Sequence, residues 1–145
     1  MAKIIVIVIV IIALYLVYSY FSSQDGAQLV SMHNARESII LKQEDLEEQS
    51  SSDYAFSIWF AVDDWDYQYG KRKPIFERRN KDNNLVPGVY FDETINNIIV
   101  QTETTGNDET FECSLENVPL QKWTNLIISV NDRNMELYLD GKLVK

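Results

Sequence analysis

The chain has 145 residues, a net charge of −9 and a single cysteine. That length accommodates one domain and an appendage, and the acidic balance excludes nucleic acid as the main partner, because an acidic surface repels phosphates. A lone cysteine also excludes an internal disulfide and a cysteine-built metal site.

The charge is spread unevenly. Residues 1–21 carry one positive charge, residues 22–52 sum to −4 and residues 53–145 to −6, so no part is basic overall. Residues 4–21 are an uncharged run of aliphatic and aromatic side chains broken only by Ser19, bounded by Ile4 and Phe21 with Ile12 near the middle. As a helix this run spans about 27 Å, close to a hydrocarbon core, and it reads as a membrane anchor. Tyr15, Tyr18, Tyr20 and Phe21 gather at its far end, where amphipathic rings favour the headgroup region. A cleaved signal peptide is the competing account. The run is long and no small-x-small cleavage site follows it, so retention is expected. Lys3 favours a single-pass arrangement with a cytoplasmic N-terminus. No small-xxx-small spacing encodes a tight helix dimer.

Residues 22–52 turn polar and acidic, with one apolar cluster at Ile39, Ile40 and Leu41. Residues 22–37 read as a stalk. The cluster is short and bounded by polar residues, so the following domain is taken to begin at residue 38, with this cluster as a candidate first strand. Residues 43–49 form an acidic run that could make a helical turn but reads first as solvated surface.

From Tyr54 onward the pattern is short strands separated by turn chemistry. Phe56, Ile58, Phe60 and Val62 share one face of the first strand, and Ala55, Ser57, Trp59 and Ala61 the other. Both faces are largely apolar, which predicts a strand in the middle of a sheet with Trp59 in the core. Strands follow at 73–78, 88–91, 97–102 and 110–115, with loops expected at Asn83-Asn84, Pro87-Gly88, Asn96-Asn97 and Gly106-Asn107. Cys113 lies between Phe111 and Leu115 on the apolar side of the 110–115 strand and reads as a buried thiol. The best-defined stretch is WTNLIISVNDRNMELYLDGKLV, residues 123–144. Leu126, Ile128 and Val130 alternate with Asn125, Ile127 and Ser129, and Met135, Leu137 and Leu139 alternate with Glu136 and Tyr138. Asp140-Gly141 suits a two-residue type I′ turn, which would set Tyr138 against Leu143 and Leu137 against Val144 in a three-stranded meander. Trp123, at the head of an apolar strand, is also expected in the core.

The segments YAFSIWFAVDDWDYQYG, KRKPIFERR, PGVYFD and LQKWTNLIISVNDRNMELYLDGKLVK resemble the laminin G-like, concanavalin A-like lectin/glucanase superfamily. They are most similar to its variant in membrane-anchored proteins of large double-stranded DNA viruses. The resemblance covers residues 39–145. It implies an all-β, antiparallel jelly-roll sandwich of two sheets, used mostly for binding. Members of the family continue beyond the Asp-Gly hairpin, so the sandwich is expected to be C-terminally truncated, with an apolar edge at Val144 that further chain or another protein covers.

Three groups of residues are candidates for chemistry. Asp63, Asp64 and Asp66 flank Trp65, with Tyr67 and Tyr69 close behind. Several oxygens in one loop could bind calcium while the rings stack on sugars. Water-facing acids at a strand-to-loop transition explain the same residues, and no Asp-x-Asp-x-Asp-Gly loop is present, so no metal or other cofactor is expected. Lys71, Arg72, Lys73, Arg78, Arg79 and Lys81 form a basic cluster suited to lipid phosphates or an acidic protein, or to guarding an edge strand. Glycoside hydrolysis needs two facing carboxyl groups, which the superfamily's glucanases place as Glu-x-Asp-x-Glu on one strand. No strand carries that pattern, Glu44-Asp45-Leu46-Glu47 has the wrong spacing, and His33 lies far in sequence from Cys113, so the expectation is a protein without enzymatic activity. The expected function is a minor capsid or virion membrane protein whose partners are the lipid bilayer and other virion proteins such as the capsid protein. The alternative is a membrane-anchored lectin for glycans.

Overall fold

The computed structural model describes residues 2–22, 28–42, 53–103, 110–131 and 133–145, and the chain divides into two compact units, Met1–Glu48 and Gln49–Lys145. The acidic run at 43–49 and the Gly106-Asn107 loop lie outside the described residues.

In the first unit, helix α1 covers Ala2–Ser22. Its 21 residues reach about 31 Å at 1.5 Å per residue, enough to cross a bilayer's hydrocarbon layer. Ile4, Ile12 and Tyr18 are all exposed, while the side chain of Phe21 lies outside the described residues. Apolar side chains cover every side of α1, so no face is set apart for packing against protein. Residues 28–42 contain a turn in which Asn34 accepts from the backbone N–H of Arg36 and Glu37. The expectation of a first strand at residues 38–41 does not hold. This segment joins neither sheet, and Ile40 is 86% exposed. Three consecutive apolar residues supply no alternation, and without a paired neighbour the extended backbone is not held as a strand.

The second unit is a sandwich of two four-stranded antiparallel sheets. Its strands are β1 (Tyr54–Ala61), β2 (Lys73–Arg79), β3 (Leu85–Phe91), β4 (Ile98–Glu103), β5 (Thr110–Leu115), β6 (Trp123–Asn131), β7 (Asn134–Leu139) and β8 (Lys142–Leu143). One sheet has the order β1-β6-β7-β8 and the other β2-β3-β4-β5. The inner faces interdigitate around Val89, Ile98, Val100 and Leu115 from one sheet and Leu126, Ile128 and Leu137 from the other. Each such aliphatic side chain contributes about 1.5–3 kcal/mol on full burial. Phe56 meets Phe76 at 4.8 Å between ring centroids, and Phe60 meets Phe91 edge-on at 5.6 Å, joining the two layers.

The meander β6-β7-β8 forms as its sequence requires. Asp140 and Gly141 take φ values of 49° and 76°, the positive pair a type I′ turn needs, and Tyr138 pairs with Leu143. Beyond Leu143 the ladder bulges: Val144 and Lys145 both donate to the Leu137 carbonyl, so two residues stand opposite one.

Four expectations fail here. Among the described strands β1 pairs with β6 alone and lies at a sheet edge instead of the middle. Trp59 and Trp123 are not core residues: they are 64% and 53% exposed. The apolar character of both faces of β1 thus reflects one buried face and one exposed aromatic face. Pro87-Gly88 is not a turn but lies buried inside β3, after a cis Val86-Pro87 bond. Gly88 is there because a Cβ would sit 2.6 Å from Tyr90 Oη and 2.6 Å from Leu85 Cδ2, so its neighbours occupy the space. Cys113 is half-buried, with Phe111 beside it largely exposed, because β5 is the outer strand of its sheet.

Candidate functional site

Residues directly opposed in an antiparallel pair point to the same face. Trp59 is opposite Asn125, Ala61 opposite Trp123 and Ser57 opposite Ile127, while Ile127 is in turn opposite Tyr138. Since Leu126 and Ile128 point into the core, these residues share the outer face of the β1-β6-β7-β8 sheet. Trp59 and Trp123 are diagonal neighbours there, about 7–8 Å apart at the backbone. Their neighbours along β1 are small, Ser57 and Ala61, and neither indole has a ring or cation partner among the described residues.

Polar groups on this face are held in place. Asn125, 7% exposed, donates through Nδ2 to Ser57 Oγ at 2.9 Å and Ile58 O at 3.4 Å, which leaves its Oδ1 as the acceptor. Asp140 accepts from the Asn125 backbone N–H at 2.9 Å and pairs with Lys122 Nζ at 2.9 Å. The backbone hydrogen bond from Asn125, and then Lys122, keep its carboxyl below the ordinary range. Tyr138 donates to Glu136 at 2.7 Å, a bond that raises its phenol's pKa.

The loop after β1 is built differently. Asp64 Oδ1 accepts from the Asp66 N–H at 2.8 Å and so closes its own turn. Asp63, Asp64 and Asp66 border a cleft of about 380 Å³ with Trp65 and Leu120, but no group of three or more His, Cys, Asp or Glu side chains converges among the described residues. Trp65 packs edge-on against Phe91 at 5.5 Å and carries Lys73 Nζ 4.9 Å above its ring, so its stacking face is occupied. Its Nε1 is buried without a protein partner. Tyr67 accepts from Gln68 Nε2 at 3.1 Å, and Tyr69 is exposed.

The basic cluster does not form one patch. Arg78 is turned inward over Tyr54 at 5.1 Å and donates to Val86 O. Arg79 pairs with Glu77 at 3.4 Å, and Arg72 lies 4.0 Å from Glu112 and over the Tyr90 ring. Lys73 donates to the carbonyls of Lys71 and Glu93. Lys71 and Lys81 are exposed. Strand β2 sends alternate side chains to opposite faces, which divides charges that are adjacent in sequence.

Sequence reasoning missed Trp59 and Trp123 because apolar alternation alone does not say which face is covered. The available signal was the company each keeps: Trp59 shares its face with Ala55, Ser57 and Ala61, and Trp123 follows Gln121 and Lys122.

Two packed antiparallel sheets, one with an outward aromatic face and fixed polar groups, define a β-sandwich. A family profile described as the concanavalin A-like lectin/glucanases superfamily, of laminin G type, matches residues 34–145, and the chain belongs to that family. Its fold fits a carbohydrate- or protein-binding role. No curated protein and no solved structure matches the chain.

Proposed function

We propose that this is a non-enzymatic, membrane-anchored binding protein in which α1 holds the chain in a bilayer and the sandwich engages a neighbouring protein. The setting proposed is the particle of a large double-stranded DNA virus, where the domain links membrane to capsid as a minor capsid or membrane component. The observation that carries the reading is the pairing of a binding fold with an N-terminal helix that is uncharged over residues 4–20 and unburied by protein. An all-round apolar helix is stable in lipid and costly in water. Tethering confines the sandwich to a thin layer, so weak contacts repeated across a shell become collectively strong.

The test is extraction of membranes or purified particles at alkaline pH, with intact mass of the retained chain and cross-linking from Lys71 or Lys81. Retention in the lipid fraction with α1 present, and cross-links to an abundant shell protein, are expected. A soluble chain lacking the apolar helix would identify a signal peptide and overturn the anchoring.

A second reading, a membrane-anchored lectin, is favoured by the exposed indoles of Trp59 and Trp123.

A further inference from the structure

We propose that the outer face of the β1-β6-β7-β8 sheet is a calcium-independent platform for uncharged pyranose oligosaccharides, with Trp59 and Trp123 as stacking surfaces and Ser57, Asn125 and Tyr138 as polar contacts. The inference rests on the lectin reading and names its site and ligand class.

A tryptophan on an outward sheet face forgoes most of its burial energy while over half of its surface stays in water, yet two stand as diagonal neighbours, 64% and 53% exposed. The outer face of the other sheet solves the same problem differently. There Tyr90 and Ile99 are covered to 8% and 5% exposure, with Arg72 above the Tyr90 ring. The indoles are thus surfaces awaiting a planar apolar partner, which the C–H face of a pyranose supplies.

Size and charge then select the occupant. Strands of eight, nine, six and two residues, at about 3.4 Å per residue and about 4.8 Å apart, bound this face at roughly 400 Å², well below the ~800 Å² per partner of a standard protein interface. A second copy of this chain, or another globular protein, would be held weakly by it. An extended oligosaccharide a few rings long matches its dimensions. The bordering charges are already neutralised or engaged, Asp140 by Lys122 and the Asn125 N–H, and Glu136 by the Tyr138 hydroxyl. Glu136 keeps its negative charge and so disfavours an anionic glycan, and among the described residues no cluster of carboxylates converges to hold calcium. What remains is a set of fixed hydrogen-bonding groups, Asn125 Oδ1 among them, suited to hydroxyls. Asn125 is placed by two hydrogen bonds before any ligand arrives, so orienting it costs nothing on binding.

The test uses the full chain in a polyoxyethylene detergent, since glycoside detergents would compete. Parent, Trp59→Ala, Trp123→Ala and Asp64→Asn are titrated with neutral β-glucan, xylan, mannan and galactan oligosaccharides, in EDTA and in calcium. As a second readout independent of substitution, ligand should shield the parent's tryptophans from acrylamide quenching. Binding of a neutral glycan in EDTA, weakened roughly fivefold to tenfold by each tryptophan substitution and unchanged by Asp64→Asn, is expected. Binding that requires calcium, disappears in Asp64→Asn and survives both tryptophan substitutions would overturn the platform while sustaining the lectin reading at the 63–66 loop. No binding and no shielding with any glycan would overturn both, and would leave membrane-to-protein bridging standing. Loss of shell-protein cross-links in the tryptophan variants, without glycan binding, would assign the face to protein and overturn the proposal.

Discussion

Gly88→Ala tests the packing that lets β3 run through the sheet. The new Cβ would meet Tyr90 Oη at 2.6 Å, Tyr90 Cε2 at 2.8 Å and Leu85 Cδ2 at 2.6 Å, all closer than real Cβ contacts allow. Leu85 and Tyr90 are 5% and 8% exposed, so neither side chain can swing aside without leaving a packed position. Overpacking of this kind costs about 1–3 kcal/mol. Displacing the phenol also breaks its 2.8 Å hydrogen bond to the half-exposed Glu77 carboxylate, adding about 1 kcal/mol, while the lower chain entropy of alanine returns about 0.5–1 kcal/mol. The net expectation is a loss of about 2–3 kcal/mol, or roughly 10–20 °C in Tm for a unit of this size. All three tryptophans lie in the sandwich and none in α1, so tryptophan fluorescence of the detergent-solubilised chain follows its melting without interference from the helix. Tyrosine ionisation gives a second readout. Burial, reinforced by the bond to Glu77, pushes the Tyr90 phenol up to about 12. The stability linked to that shift is fully present below the ordinary value of 10.0 and is lost as pH rises through about 12. Gly88→Ala should move this phenol back toward its ordinary value and soften the alkaline limb. In a Tyr90→Phe background, where Oη and its bond are already gone, the same substitution should cost less. An unchanged Tm, or an equal cost in both backgrounds, would refute the close-approach argument.

Thr124 is fully buried opposite Phe60, and its Oγ1 has no hydrogen-bond partner. Thr124→Val keeps the shape and removes the orphaned hydroxyl, so equilibrium unfolding should show a gain of about 1 kcal/mol, and a loss would mean the hydroxyl is satisfied in solution. Asp140 has a depressed carboxyl pKa, so its stabilisation is present above the ordinary carboxylate range and is lost as pH falls through its folded value. Asp140→Asn should flatten the acid limb of the stability profile below about pH 4, and an unchanged limb would assign acid sensitivity to other carboxylates. Leu126→Ala opens a cavity in the strand shared by β1 and β7 and should cost about 2–5 kcal/mol by denaturant titration, against well under 1 kcal/mol for the exposed Leu143→Ala.

The parts of this protein legible from its residues alone are those where local chemistry leaves one solution. Asp140-Gly141 accepts positive φ at both positions, so the last hairpin and its register follow from two adjacent residues and the alternation around them. Residues 4–21 announce an apolar helix through length and lack of charge. The inner face of β6 follows equally from Leu126, Ile128 and Val130. What sequence does not encode locally is which surface a second layer covers. Period-two alternation divides Phe56, Ile58 and Phe60 from Ser57, Trp59 and Ala61, but whether the second set is buried depends on another sheet lying over it, and among the described residues none does. The same indeterminacy misplaced Trp123, and it made Pro87-Gly88 look like a turn, because the ring of Tyr90, not the local backbone, dictates a glycine there. The candidate site is therefore a product of tertiary structure: only the pairing of β1 with β6 brings Trp59, Asn125 and Trp123 onto one open face.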